Sequence, residues 1–176
     1  MANRFDKKTV LIERLADHVL AHGIGAASLR PLAAAAGTSD RMLLYYFPDK
    51  EALIAALLER VALRMLLALE AELPDRTPLA RDELMQRLWP VATSPTFRPY
   101  MVVWLEVAAL AARNAEPYRQ IAGQIAEGFL EWAKGRLALQ PGEDPTQKAA
   151  ELLTRIDGAM LMHALGRGDI ADASFG

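Results

Sequence analysis

The chain has 176 residues, 52% of them hydrophobic and 24% charged, with a net charge of −2 and no cysteine. That mixture is globular and large enough to bury a core. It excludes a disordered chain, disulfides, thiolate metal sites, a cysteine nucleophile and a uniformly basic nucleic-acid binder. The charge is uneven: residues 1–50 hold seven Lys/Arg and five Asp/Glu, whereas the remainder is acidic. A mildly basic end on an acidic body suits a polyanionic partner at one end only.

Aromatic residues are 7% of the chain and alanine and leucine are abundant, which favours helices over sheet. From Met1 to Lys8 the chain is polar and charged, without the apolar stretch of a secretory signal. The most apolar segment, Tyr100 to Ala112, is interrupted by Glu106 and is too short to span a bilayer. A soluble, cytoplasmic protein with no membrane contact is expected.

Ile12, Leu15, Ala16 and Val19 share one face of a first helix, which Gly23 stops. Ser28 is the expected N-cap of a short second helix, Leu29 to Ala36, with Pro31 in its first turn, where a missing N–H is harmless. Gly37 ends it, and Thr38 or Ser39 caps a third helix running to about Tyr46. Asp49 caps a long helix from Lys50 to Glu72. Pro74, Asp75 and Pro78 mark a break. Further helices are expected near 79–89, 97–114, 116–139 and 146–166, separated by Pro90 with Pro95, Asn114 with Pro117, and Pro141 to Pro145. The tail after Gly166 is expected to fray. No stretch has the two-residue alternation of a strand, so the fold class is all-α, with eight helices.

Residues 28–47, SLRPLAAAAGTSDRMLLYYF, carry helix-turn-helix punctuation. Ala33 to Ala36 allow close helix approach, and Gly37 allows the positive φ that the turn needs. Leu29, Leu32, Leu43 and Phe47 form the expected apolar seam.

The segment resembles the TetR family of transcriptional regulators. The resemblance runs through Ala16 to Gly23, Ser28-Leu29, Leu32-Ala33, Ala36-Gly37, Ser39, Tyr46-Phe47 and Lys50 to Leu53, over about the first 55 residues. It implies an N-terminal three-helix DNA-binding domain over residues 1–50 and a helical ligand-binding and dimerisation domain over 51–176. It further implies a ligand-released repressor that binds a palindromic double-stranded DNA operator as a homodimer and answers to an unidentified small-molecule effector. The helix from Ser39 to Tyr46 would enter the major groove. Arg41 is then the leading base reader, able to bond guanine O6 and N7 together. Asp40 would accept from cytosine or orient Arg41, and Met42 and Leu44 would meet thymine methyls. Tyr45, Tyr46 and Lys50 match phosphate-touching positions, and Ser28 and Ser39 would add contacts at helix N-termini. Arg41 stands where a small residue is common in the family, and Leu44 where an aromatic is common. Which bases are read, and which of Tyr45 and Tyr46 faces DNA, stay open.

In the body, the family's dimer face would fall on the helices near 116–139 and 146–166, with Leu152, Leu153, Ile156, Ala159, Met160 and His163 on one face of the latter. Trp89, Phe97, Tyr100, Met101, Trp104, Glu106 and Tyr118 are candidate ligand-pocket residues. Glu106 would meet a cationic or hydroxylated ligand, or else pair with Arg113. The long helix from Lys50 would be the lever between pocket and head.

No enzyme is expected, and no metal or cofactor. His18 and His22, spaced i, i+4, lack the glutamate of a zinc-protease motif and read as exposed helix histidines. There is no glycine-rich phosphate loop and no nucleophile elbow. The competing interpretation is a helical ligand- or partner-binding protein that keeps the fold without reading DNA. It would gain if Asp40 and Asp49 dominated the surface around Arg41.

Overall fold

A computed structural model describes residues 4–174, with side chains from residue 7 onward. It is all-α among these residues: α1 (Arg4–His22), a 3-10 turn (Ile24–Ala26), α2 (Leu29–Ala35), α3 (Asp40–Tyr46), α4 (Lys50–Glu72), α5 (Arg81–Ala92), α6 (Arg98–Ala112), α7 (Tyr118–Lys134), α8 (Pro145–Ala164) and α9 (Gly168–Ala173). The chain forms two compact units. The first joins the residues up to Met65 with Val102–Gly123, and the second joins Leu66–Met101 with the chain from Gln124 onward.

In the first unit, Leu15, Ala16 and Val19 of α1, Leu32 of α2, Leu43 of α3 and Leu53, Ile54, Leu57 and Leu58 of α4 are buried. The i, i+3, i+4 spacing of α1 therefore describes its inner face, as its sequence implies. A guanidinium clasp ties α1 to α4. Arg64 donates to Glu13 at 2.7 Å and to Asp17 at 2.7 Å, and Arg60 also pairs with Glu13. Burial pushes the Glu13 carboxyl up, but the hydrogen bonds from Arg60 and Arg64 outweigh it and hold the group below the ordinary carboxylate range.

The second unit departs from expectation in three places. Helix α5 runs through Pro90 instead of stopping at residue 89. Proline removes one donor there, and the chain closes the turn beyond it, with Thr93 donating to Trp89 O from its backbone N–H at 3.0 Å and its hydroxyl at 2.8 Å.

Helix α7 stops at Lys134, short of the expected 139, and residues 136–138 bridge to Leu79: Leu79 N donates to Arg136 O at 2.9 Å, and Ala138 N to Leu79 O at 2.8 Å. Arg136 explains the departure. Its side chain is buried, donating to Leu73 O at 3.0 Å, Asp75 O at 2.7 Å and Glu70 at 2.7 Å. Glu70 also accepts the Trp132 indole N–H at 2.7 Å. The Arg136 and Trp132 hydrogen bonds hold the Glu70 carboxyl below its ordinary range.

The tail is not frayed through residue 173. Arg167 N donates to Met162 O and Gly166 N to His163 O, a left-handed glycine closure of α8, and α9 follows with Ala171 buried. The described residues thus contain nine α-helices rather than eight. None of these helices is long and apolar enough to cross a membrane.

Candidate nucleic-acid interface

The helix-turn-helix is built by local punctuation. Ser28 sits at the N-cap of α2 in extended conformation, but its exposed hydroxyl makes no capping bond. Gly37 lies at φ 66°, where a side chain is strained, and lets Thr38 N reach Ala33 O and Gly37 N reach Ala34 O. Arg14 of α1 donates to Ala36 O at 3.1 Å, closing the end of α2 from outside. Of the two cap candidates for α3, Ser39 is the cap: its Oγ accepts the Met42 N–H at 3.3 Å. Asp49 accepts the Ala52 N–H at 2.7 Å and starts α4 as expected.

The residues of α3 sort by face. Leu43 and Phe47 are buried, and Lys8 lies over the Phe47 ring at 4.8 Å. Leu32 is buried and Leu29 half-buried, so the predicted seam assembles. Outside, Asp40, Arg41, Met42, Leu44 and Tyr45 are exposed, with Lys50 just beyond. Tyr45 is 57% exposed and Tyr46 half-buried, their rings meeting edge to face at 5.2 Å. Arg41 and Lys50 form no ion pair among the described residues, while Asp49 is committed to its cap. Arg41 and Tyr45, four apart, share one side of the helix.

His18 and His22 stack at 4.5 Å on α1. Contrary to expectation His18 is half-buried, and burial, followed by the charge of His22, lowers its pKa from the ordinary imidazole value. No cluster of three metal-ligating side chains occurs among the described residues.

Residues 11–57 match the family model described as bacterial regulatory proteins, tetR family. Over these residues the chain is similar to the TetR family. Solved structures agree over nearly its whole length. A TetR-family transcriptional regulator from Cytophaga hutchinsonii aligns at TM-score 0.77 and 18% identity, covering 99% of this chain and 92% of the other. GusR of Salmonella enterica aligns at TM-score 0.67 and 17% identity, covering 99% and 94%. The multidrug binding protein EbrR, in complex with proflavin, aligns at TM-score 0.66 and 26% identity, covering 91% and 89%. No curated protein matches the sequence significantly. TetR-family proteins are transcriptional regulators and not enzymes.

The candidate body residues fall in both units. Trp89, Phe97, Tyr100 and Met101 belong to the second unit, and Trp104, Glu106 and Tyr118 to the first. Phe97 and Tyr100 rings lie 5.9 Å apart. Trp89 is turned to α8 and α9, with its ring against His163 at 5.8 Å and its N–H donating to Asp172 at 2.9 Å. Tyr118 and Trp104 are half-buried. Burial raises the Tyr118 pKa. The expected Glu106–Arg113 pair does not form: the Glu106 carboxylate instead accepts the backbone N–H of Ile24 at 2.5 Å.

On α8, Leu152, Ala159 and Met160 are buried within the single chain, so this part of the expected dimer face belongs to the protomer's own core. Leu153 and Ile156 are half-buried and His163 is exposed. Leu161 of α8 and Leu165 at its C-cap are exposed, in line with Gly158. The expected set thus divides between the protomer's core and its surface.

Proposed function

We propose that this protein is a ligand-released repressor that binds a palindromic operator as a homodimer. The observation that carries the proposal is the outer face of α3, where Arg41, Met42, Leu44 and Tyr45 are exposed together beside Lys50 on a helix fixed from behind by Leu43 and Phe47. A guanidinium on such a face reads guanine through O6 and N7, Met42 and Leu44 suit thymine methyls, and Tyr45 and Lys50 suit phosphates. Tyr46, half-buried, packs behind Tyr45. Ser28 and Ser39 offer hydroxyls to the backbone at their helix starts, and Asp40 accepts from cytosine or orients Arg41.

Residues 1–50 carry the reading function, and 51–176 carry dimerisation and effector response. The proposed dimer face includes the outer side of α8, Gly158, Leu161 and Leu165, and Gly128 of α7. Gly128 and Gly158 are exposed helical positions at which a Cβ would meet nothing within 4 Å. Glycine costs a helix about 0.5–1 kcal/mol relative to alanine, and nothing in the chain itself requires it there. Close approach of a second copy would. Two heads then reach half-sites about 34–36 Å apart on one face of the duplex. A small-molecule effector is proposed because EbrR, with the same fold and 26% identity, is a multidrug binding protein solved with proflavin. Such a regulator works in the cytoplasm, where its DNA lies.

The test is retention of a randomised double-stranded DNA pool by the purified protein, repeated with Arg41→Ala at two salt concentrations. A palindromic motif is expected, with discrimination at one base pair per half-site relaxed by about 1–3 kcal/mol in the variant. A folded, dimeric protein that enriches no sequence at low salt would refute the reading and favour a partner-binding role.

A further inference from the structure

Glu106 is the only charged side chain on α6 between Arg98 and Arg113. Val103 and Val107, flanking it, are buried. Its carboxylate meets the backbone just after α1. The N–H of Ile24 that it accepts at 2.5 Å belongs to the first residue of the 3-10 turn joining α1 to α2, 82 positions away in sequence. A Cβ on Gly23 would lie 2.7 and 2.8 Å from the two carboxylate oxygens, so a side chain there would push the carboxylate from its present place. Gly23 also stands at φ 80°, which a side chain would strain. Ile24 is buried and Glu106 half-buried, so this contact is partly shielded from water. Hydrogen bonds to an ionised acceptor are roughly twice as strong as neutral ones.

From Ile24 the chain is hydrogen-bonded onward without a gap. Ser28 N donates to Ala26 O at 2.9 Å, Leu32 N to Ser28 O at 3.1 Å, and the glycine closure of α2 hands on to α3. The carboxylate is therefore linked to α3 by a short, bonded path that does not include α4.

We infer that Glu106 is a positioning residue that couples α6 to the DNA-reading head by holding the N–H of Ile24. The inference rests on the DNA-binding reading of α3. Coupling of this kind is reciprocal: what α6 does to DNA affinity, DNA does to α6.

The test uses the full chain and the DNA sequence enriched from the pool. Amide hydrogen exchange is followed with and without that DNA for the wild type, Glu106→Ala and Glu106→Gln. In the wild type, DNA slows exchange at Ile24 and along α6 as well as in α1–α3. In Glu106→Ala the slowing stays within α1–α3, and affinity falls about 10-fold, within the usual range of coupling between linked sites. Glu106→Gln keeps an oxygen that accepts the same N–H and binds within about 3-fold of the wild type. Gly23→Ala weakens DNA binding, and less so when combined with Glu106→Ala, because the clash is then removed. Unchanged α6 exchange in the DNA-bound wild type overturns the inference whether or not the variants fold. So does a folded Glu106→Ala that binds like the wild type and still protects α6. Failure of the wild type to bind any DNA overturns the underlying reading as well, and is recognised by the absence of protection in α3.

Discussion

In the unit that carries the reading head, the ends of the short helices are closed by residues three to five positions away. Ser39 caps through Met42, Asp49 through Ala52, and Gly37 lets Thr38 reach back to Ala33. In the second unit the decisive ties span much longer stretches: Glu70 to Arg136 across 66 positions, Arg81 to Glu151 across 70, and Trp89 to Asp172 across 83. The head takes most of its punctuation from its own few residues, with Arg14 closing α2 and Glu106 holding the turn before it from farther away. The second unit takes its irregular shape from partners that no window of sequence contains. The difference explains why a family signature survives over residues 11–57, and why the solved relatives agree in fold at 17–26% identity.

The sharpest way to break this contrast is Leu43→Ala. Leu43 is fully buried beneath α3, and emptying its site should cost about 3–5 kcal/mol of stability and abolish measurable DNA retention, read by thermal unfolding and the pool assay. Arg136→Met should cost somewhat less, about 1–3 kcal/mol, because it removes the donor to two part-buried carbonyls while Glu70 keeps Trp132 and Arg76 as partners. Its loss should appear in unfolding, while DNA affinity of the folded protein stays unchanged. A matching drop in affinity would show that Arg136 also bears on the reading head.

Lys50→Ala should act on DNA alone. Removing one phosphate contact lowers affinity a few-fold, evenly across sequences, and flattens the salt dependence by about 0.9 in log–log slope.

The smallest expected effect is a pH dependence from His18. Burial and its neighbour His22 depress its pKa in the folded state, so the unfolded chain takes up the proton more readily. Its contribution to stability is whole above the unfolded value of about 6.5 and is lost as pH falls through that value towards the folded one. Unfolding midpoints measured from pH 7.5 to 5 should fall, and His18→Gln should reduce the slope. An unchanged slope would assign the pH dependence to another group.

Residues 1–50 were legible because their signals are physical and short-range: small residues at a helix crossing, a glycine at positive φ, a serine and an aspartate at helix starts. Which tyrosine faces outward was not legible, since Tyr45 and Tyr46 are chemically alike and only packing ranks their exposure. On α8 the apolar pattern was visible but its polarity was not. Leu152 and Leu161 look the same in sequence, and one is core while the other is surface. Glu106 was conspicuous as an acid in an apolar helix, yet its partner is a backbone N–H, a group every residue but proline carries and no side-chain pattern announces.

By itself, then, the sequence determined the all-α class, the helix-turn-helix, the cap at Asp49 and the resemblance of the N-terminal region to a family. These follow from local propensity and periodicity acting over a few residues. The tertiary structure alone decided that α7 yields to a buried arginine at 136, that the tail folds as α9, and that Glu106 is spent on Ile24. Each depends on groups brought together from distant parts of the chain, where the need to satisfy buried polar atoms outweighs local preference.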